Sequence, residues 1–279
     1  MAFTSEDDGR LVEQHYTRGA LASAILELLA GSGKDLDRLT SDDLAAIDEF
    51  HIGGRQATID FAAQLKFAPG SHLLDLGCGL GGPSRYFALE GGCRVTGIDV
   101  TEEYVKVATM LSQKIGLAGR TSYHKSSALA LPFGPASFDG SYMLHVGMNV
   151  RDKGAVFAEV CRVLKPGSGF GIYDVVRRRD ADLAYPLPWA ASTESSFVET
   201  LPTYRRLLDA AGFTVEAERS RLEFAVDFFG QMRARSAAGQ GLGLHLLMGQ
   251  DAATKIANMV AGLSRGLIEP VEIVCRASK

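Results

Sequence analysis

Three glycines and two aspartates carry the first chemical signal in this chain. In the stretch LLDLGCGLGGPS, from Leu73 to Ser84, Gly77, Gly79 and Gly82 follow the spacing G-x-G-x-x-G, and Asp75 stands two residues before the first of them. Glycines at such a turn allow positive φ and let the backbone approach a ligand closely, while the free N–H groups of a following helix point at it. Asp99 closes the run RVTGID, about 20 residues further on, where a carboxylate can accept hydrogen bonds from ribose hydroxyls. These features suit a dinucleotide as well as other adenosyl ligands. Asp75 separates them, because a pyrophosphate beside it would be repelled, whereas a ligand with an ammonium and a sulfonium would be favoured.

Such a loop needs a strand before it and a helix after it. From Ser71 onward, short apolar runs alternate with amphipathic segments. The pattern predicts strands at His72–Leu76, Arg94–Ile98, Thr121–Lys125, Phe138–His145 and Phe170–Val175, with helices near Pro83–Glu90, Glu102–Ile115 and Lys153–Leu164. A helix from Leu201 to Ala211, a strand from Phe213 and a closing strand at Val271–Arg276 complete an α/β, doubly wound, mostly parallel sheet of seven strands. Ligands in such sheets bind beyond the carboxyl ends of the strands, where strand order reverses.

The remaining segments do not follow the alternation. Residues 1–66 read as a helical amino-terminal extension, with helices at Leu21–Ala30, from a cap at Ser41 or Asp42 through Phe50, and at Gly54–Lys66. The rest of the chain, 67–279, forms the ligand-binding domain. It carries two cap insertions, one near 177–200 containing the proline-broken AYPLPWA and a mostly helical one near 227–265.

Bulk properties exclude several classes. The 279 residues are 46% hydrophobic and 22% charged with a net charge of −4, so the basic excess that draws proteins onto nucleic acid is absent. The polar, acidic start MAFTSEDDGR and the lack of a long apolar run predict neither a secretory signal nor a membrane span. Four scattered cysteines fit a reducing cytoplasm, and no metal site is expected because no cluster has ligand spacing.

Four stretches in order, LLDLGCGLGG, VTGIDVTEEY, LPFGPASFDG and EVCRVLKPGSG, resemble the class I S-adenosylmethionine-dependent methyltransferases. More narrowly, DEFHIGG, GLGGPSRYFA, HVGMNVRDK and PWA are similar to the small-molecule enzymes grouped with sarcosine and dimethylglycine N-methyltransferases. The resemblance implies S-adenosylmethionine as cofactor, methyl transfer to a small molecule by in-line displacement, and roles for particular residues. Asp75 would orient the methionine part of the cofactor over Gly77, Cys78, Gly79 and Gly81, Asp99 would hold the ribose, and Val100 or Thr101 would lie against the adenine. The position before LPF that is usually acidic is Ser127 here, a weaker partner for the adenine amino group, with backbone groups at Ala128 and Leu129 as compensation.

Methyl transfer places modest demands on side chains, since the donor carbon is already activated. His145, at the end of the fourth strand, is the expected group for substrate positioning or proton acceptance, because imidazole titrates near neutral pH; filling the sheet edge is its plain alternative. Asn149 begins the next turn beside it. His51 and Gly53, in FHIGG, are expected to close a lid over the cofactor. Tyr16 and Trp189 are candidates for the acceptor side, with packing of the insertion the favoured role for Trp189. The apolar carboxyl-terminal helices offer a surface on which two copies could pair. A nicotinamide-dependent oxidoreductase and a non-catalytic cofactor-binding relative stand as the alternatives.

Overall fold

The computed structural model describes residues 5–237 and 247–278. Part of the second cap insertion, 238–246, therefore lies outside the described residues. Seven strands form one sheet: β1 (His72–Leu76), β2 (Arg94–Asp99), β3 (Thr121–Lys125), β4 (Phe138–Leu144), β5 (Leu164–Arg177), β6 (Phe213–Ser220) and β7 (Ile268–Ala277), in the order β3-β2-β1-β4-β5-β7-β6. Strands β1 to β5 pair in parallel, and β7 runs antiparallel between β5 and β6. The order reverses between β1 and β4, so the carboxyl ends of these two strands splay the following loops apart and open a crevice.

Alternation of side chains along the strands loads both faces. Leu74, Leu76, Met143, Phe170 and Ile172 pack on one face against α7 (Lys153–Val163) and α8 (Leu201–Ala210). Leu73, Tyr142 and Tyr173 pack on the other, under α4 (Gly54–Leu65) and α5 (Gly82–Leu89). Helix α4 belongs to this layer because Gly171 of β5 has no side chain; a Cβ there would meet Phe61 and Leu65 within 2.8 Å. α6 (Glu102–Lys114) joins α2 (Leu21–Gly31) and α3 (Ser41–Asp48) in a third cluster built on Ile25, Leu44, Val107 and Leu111.

Two expectations about the extension need correction. Thr40, not Ser41 or Asp42, caps α3: its hydroxyl accepts from Asp43 N while the Asp43 carboxylate accepts from Thr40 N, a reciprocal box that fixes the start one residue earlier. The helix also ends at Asp48, before Phe50. A helix not read from the sequence, α1 (Ser5–Tyr16), precedes the others; its first turn is acidic and polar and lacks an apolar stripe.

The caps meet each other above the sheet. Leu183, Leu187, Trp189 and Val198 of the first insertion pack with Ala225 of α9 (Leu222–Ala237) and with Met259 and Leu263 of α10 (Ala252–Ser264). Helix α9 starts five residues before the expected insertion boundary at Asp227.

Candidate active site

The glycine loop leaves β1 at Leu76 and turns through three left-handed residues, Gly77, Gly79 and Gly81, at φ of 67°, 52° and 81°. The first two are needed for different reasons. A Cβ on Gly77 would come within 2.5 Å of Val146, so the loop could not sit against the β4 turn; at Gly79 nothing lies within 4 Å, and the open space faces the crevice. Gly81 caps α5, and its surroundings are filled by Tyr123 and Arg85. It supports the loop from behind and is not on the crevice wall.

Asp99, at the end of β2, is oriented from both sides. Gly79 N donates to one carboxylate oxygen at 3.0 Å and Thr101 N to the other at 2.8 Å. Each oxygen takes one donor and keeps capacity for a second, which fits two adjacent ribose hydroxyls. Burial raises the Asp99 pKa, with the Thr101 and Gly79 amides opposing it. Asp75 is 2% exposed and accepts from Ser84 Oγ at 2.6 Å and Tyr142 OH at 3.2 Å. Burial pushes its pKa up to about 7, with the Ser84 and Tyr142 hydrogen bonds opposing it.

Both aspartates open onto one cavity of about 1900 Å³ above the strand ends. Gly77, Cys78, Gly79 and Val100 line it on the glycine-loop side, followed by Ser127, Ala128 and Leu129. His51, Gly53, His145 and Asn149 come from the facing loops, and Tyr16 and Trp189 from the covering segments. Of the expected site residues, Gly81 and Thr101 are missing from this wall; Thr101 is fully buried beneath Asp99. The expected compensation at Leu129 is also reduced, because its N–H donates to Ser127 Oγ at 3.2 Å.

His145 differs from the sequence expectation in its titration. It sits at φ 55°, a left-handed conformation rare for a residue with a side chain, and its N–H donates to Tyr173 O at 2.7 Å. Its Nε2 accepts from Ile52 N at 3.4 Å, and Tyr173 OH donates to Ile52 O at 3.0 Å. Burial and the neighbouring His51 push the imidazole pKa down to about 3, so it stays neutral through the physiological range instead of titrating near it. The two side chains bracket one residue, Ile52, holding its N–H and its C=O.

That loop is further tied by charge. Glu49 accepts from Thr58 at 2.7 Å, contacts His51 Nε2 at 3.0 Å and pairs with Arg55 at 2.7 Å. Burial alone would raise the Glu49 carboxyl, but the His51 and Thr58 hydrogen bonds and the nearby charges outweigh it and lower the pKa. Asp48, just before it, pairs at 2.6 Å with Arg85, and Arg85 also donates to Leu80 O of the glycine loop at 2.6 Å. One guanidinium thus joins the end of α3 to the glycine loop. Gly53 admits the Phe224 ring of α9, which a Cβ would overlap.

Helix α1 crosses the cavity. Tyr16 OH donates to Asn149 Oδ1 at 3.4 Å, His15 lies 3.1 Å from Pro188 O, and Lys125 pairs with Glu13 at 2.6 Å. Trp189 is 3% exposed and donates through Nε1 to Ser196 Oγ at 2.9 Å, in keeping with packing as its main role.

Sequence reasoning passed over Glu49, Tyr173 and Tyr104. Glu49 was in view within DEFHIGG, two residues before His51. Tyr104, in VTGIDVTEEY, lines the cavity with a buried hydroxyl that has no partner among the described residues.

Comparison with known proteins agrees with this geometry. Residues 74–172 match the family described as "Methyltransferase domain". Residues 74–172 therefore carry a methyltransferase domain, the segment that holds LLDLGCGLGG, VTGIDVTEEY, LPFGPASFDG and EVCRVLKPGSG. The chain is similar to the O-methyltransferase cnsE of Penicillium expansum, 30% identical over 174 residues that make up 62% of this chain and 63% of that one. It spans 35% to 63% of the length of the first curated relatives it matches. In fold it resembles the [4+2]-cyclase SpnF, with a TM-score of 0.69 at 22% identity over 99% of this chain and 98% of that one. A second neighbour in fold is a sarcosine dimethylglycine methyltransferase, described as putative, from Galdieria sulphuraria, with a TM-score of 0.65 at 20% identity, covering 80% of this chain and 85% of that one. The match over residues 74–172 is to a methyltransferase domain and favours that resemblance over the nicotinamide alternative.

Proposed function

We propose that this chain transfers a methyl group from S-adenosylmethionine to a small-molecule acceptor held in the same cavity. The observation that carries this reading is the shared wall: Asp75, Gly79 and Asp99 on one side, and Tyr16, His145 and Asn149 on the other, open onto one space. When bound, the cofactor supplies a methyl carbon on a sulfonium, ready for in-line displacement.

The protein's part is binding, orientation and exclusion of water. Asp99 would accept hydrogen bonds from the ribose hydroxyls, and Asp75, in its ionised form, would hold the ammonium of the amino-acid end. Val100, Ser127 and Ala128, which line the cavity beyond Asp99, would hold the adenine. The Tyr16–Asn149 bond closes the far side, so that water is kept from the reacting atoms and the acceptor is held in line. His145 acts as a positioning residue through Ile52, not as the proton acceptor, since an imidazole with so low a pKa is a poor base at neutral pH.

The test is calorimetry with S-adenosylhomocysteine followed by turnover on amine and hydroxyl acceptors. Saturable binding and transfer are expected. A chain that binds no S-adenosylhomocysteine refutes the reading; one that binds it but turns over nothing is the non-catalytic relative.

A further inference from the structure

We propose that the methyl acceptor is a large, lipid-like molecule, mostly hydrocarbon, rather than an amino-acid-sized amine. The inference rests on the methyltransferase reading and deepens it.

Size is the first argument. Small-molecule sites measure about 300–1000 Å³, so a single ligand of the upper size on the glycine loop leaves on the order of 900 Å³ of the 1900 Å³ cavity for the acceptor. A molecule the size of sarcosine would rattle in that space, and the water around it would go unreplaced.

Wall chemistry is the second. Away from the glycine loop the cavity runs between α9 and α10, where Phe228, Phe229, Met232, Ile256 and Val260 line it and are all half-buried. The two phenylalanine rings stand edge to face at 5.3 Å. An unbroken apolar cluster links this lobe to the reacting end, since Met148, next to Asn149, packs with Trp189, Met259 and Leu263, and Phe228 and Phe229 lean on the same cluster. Covering such a surface with hydrocarbon is favourable in proportion to the area removed from water.

Charge is the third. A small zwitterionic acceptor needs partners for both its charges, and apart from Asp75 and Asp99, which the cofactor would take, Glu49 is already engaged by Arg55 and His51 and Asp48 by Arg85. Asp227, Arg233 and Arg235 also line the cavity but are exposed to water, where ion pairs contribute little. The lobe's continuity with the glycine loop identifies its occupant as the molecule that must meet the donor.

Trp189, the single tryptophan, lies in the cavity wall and provides the readout. N-phenylnaphthylamine, an uncharged fluorescent aromatic, is titrated into the full chain with and without saturating S-adenosylhomocysteine, following energy transfer from Trp189. Saturable binding is expected in both states, with displacement by farnesol or progesterone and none by millimolar sarcosine. Ile256→Glu should weaken the probe at least tenfold and leave the S-adenosylhomocysteine dissociation constant within twofold. Val260→Asp repeats the test at a second position should the first variant fail to fold by circular dichroism. Displacement by sarcosine, absence of saturable probe binding, or unchanged probe affinity in a folded variant overturns the proposal. Failure of S-adenosylhomocysteine to bind would instead strike the methyltransferase reading, and the two outcomes are read separately.

Discussion

The two sides of the cavity are built by different means. On the glycine-loop side, Gly77, Gly79 and Asp99 are set by backbone within a few residues of a strand end: Gly77 and Gly79 follow β1, Asp99 ends β2, and its carboxylate is fixed by two main-chain amides. On the covering side, the pieces come from distant parts of the chain and are held by side chains. Arg85 reaches Asp48, Tyr173 and His145 hold Ile52, and Tyr16 reaches Asn149. The first kind of construction is rigid and local; the second depends on single contacts that one substitution removes. Breaking each side in turn shows how far this division holds.

The largest effect is expected where the two sides join. Arg85 is fully buried, and replacing it with Ala strands the Asp48 carboxylate without a partner. Loss of one member of a buried pair costs about 3–5 kcal/mol, so Arg85→Ala should lower unfolding stability in urea by that amount. A loss below about 1 kcal/mol would mean that the 48–53 segment does not depend on this tie. On the cofactor side, Asp99→Ala should leave stability nearly unchanged but weaken S-adenosylhomocysteine by about 1.5–3 kcal/mol, roughly 10- to 150-fold. An unaltered dissociation constant by calorimetry would remove Asp99 from the ribose site.

Asp75 gives the comparison a pH axis. With its pKa near 7 in the free protein, the carboxyl must lose a proton before it can receive an ammonium. Affinity for S-adenosylhomocysteine should therefore fall as pH drops through 7, by about tenfold between pH 8 and pH 6. Stability has the opposite sign. The folded chain holds this proton more tightly than the unfolded one, so the group's contribution is full below pH 4 and is lost as pH rises through 7. Asp75→Asn should flatten both trends. A wild-type dissociation constant that is level from pH 6 to 8 would show that the carboxyl is already ionised without ligand.

The same division explains what was legible beforehand. The strands, the glycine turn and Asp99 could be read because each depends on local pattern: apolar runs with period two, glycines where φ must be positive, a carboxylate at a strand end. The covering side was read only in part. Helix α1 has no apolar stripe of the kind that betrays a packed helix, and it is held instead by His15, Tyr16 and Glu13 reaching groups more than 100 residues away. His145 was picked out by type, but its environment, set by Ile52, His51 and Tyr173 from two other segments, reversed the expected titration. Spacing along a sequence carries no information about such neighbours.

The smallest predicted effect tests the weakest tie. The Tyr16–Asn149 contact, at 3.4 Å, is long for a hydroxyl donor, yet burial of the phenol and the nearby Asp99 charge raise the Tyr16 pKa and keep it protonated. Tyr16→Phe removes the hydrogen bond and preserves the ring that packs at 5.8 Å from Tyr104. Affinity for S-adenosylhomocysteine should fall by about 0.5–1.5 kcal/mol, the range for one neutral hydrogen bond, with no change in unfolding midpoint. Tyr16→Ala, which also removes the ring, should cost more. If the two variants bind equally well and as tightly as the wild type, α1 does not cover the cofactor, and the covering side reduces to the 49–53 loop alone.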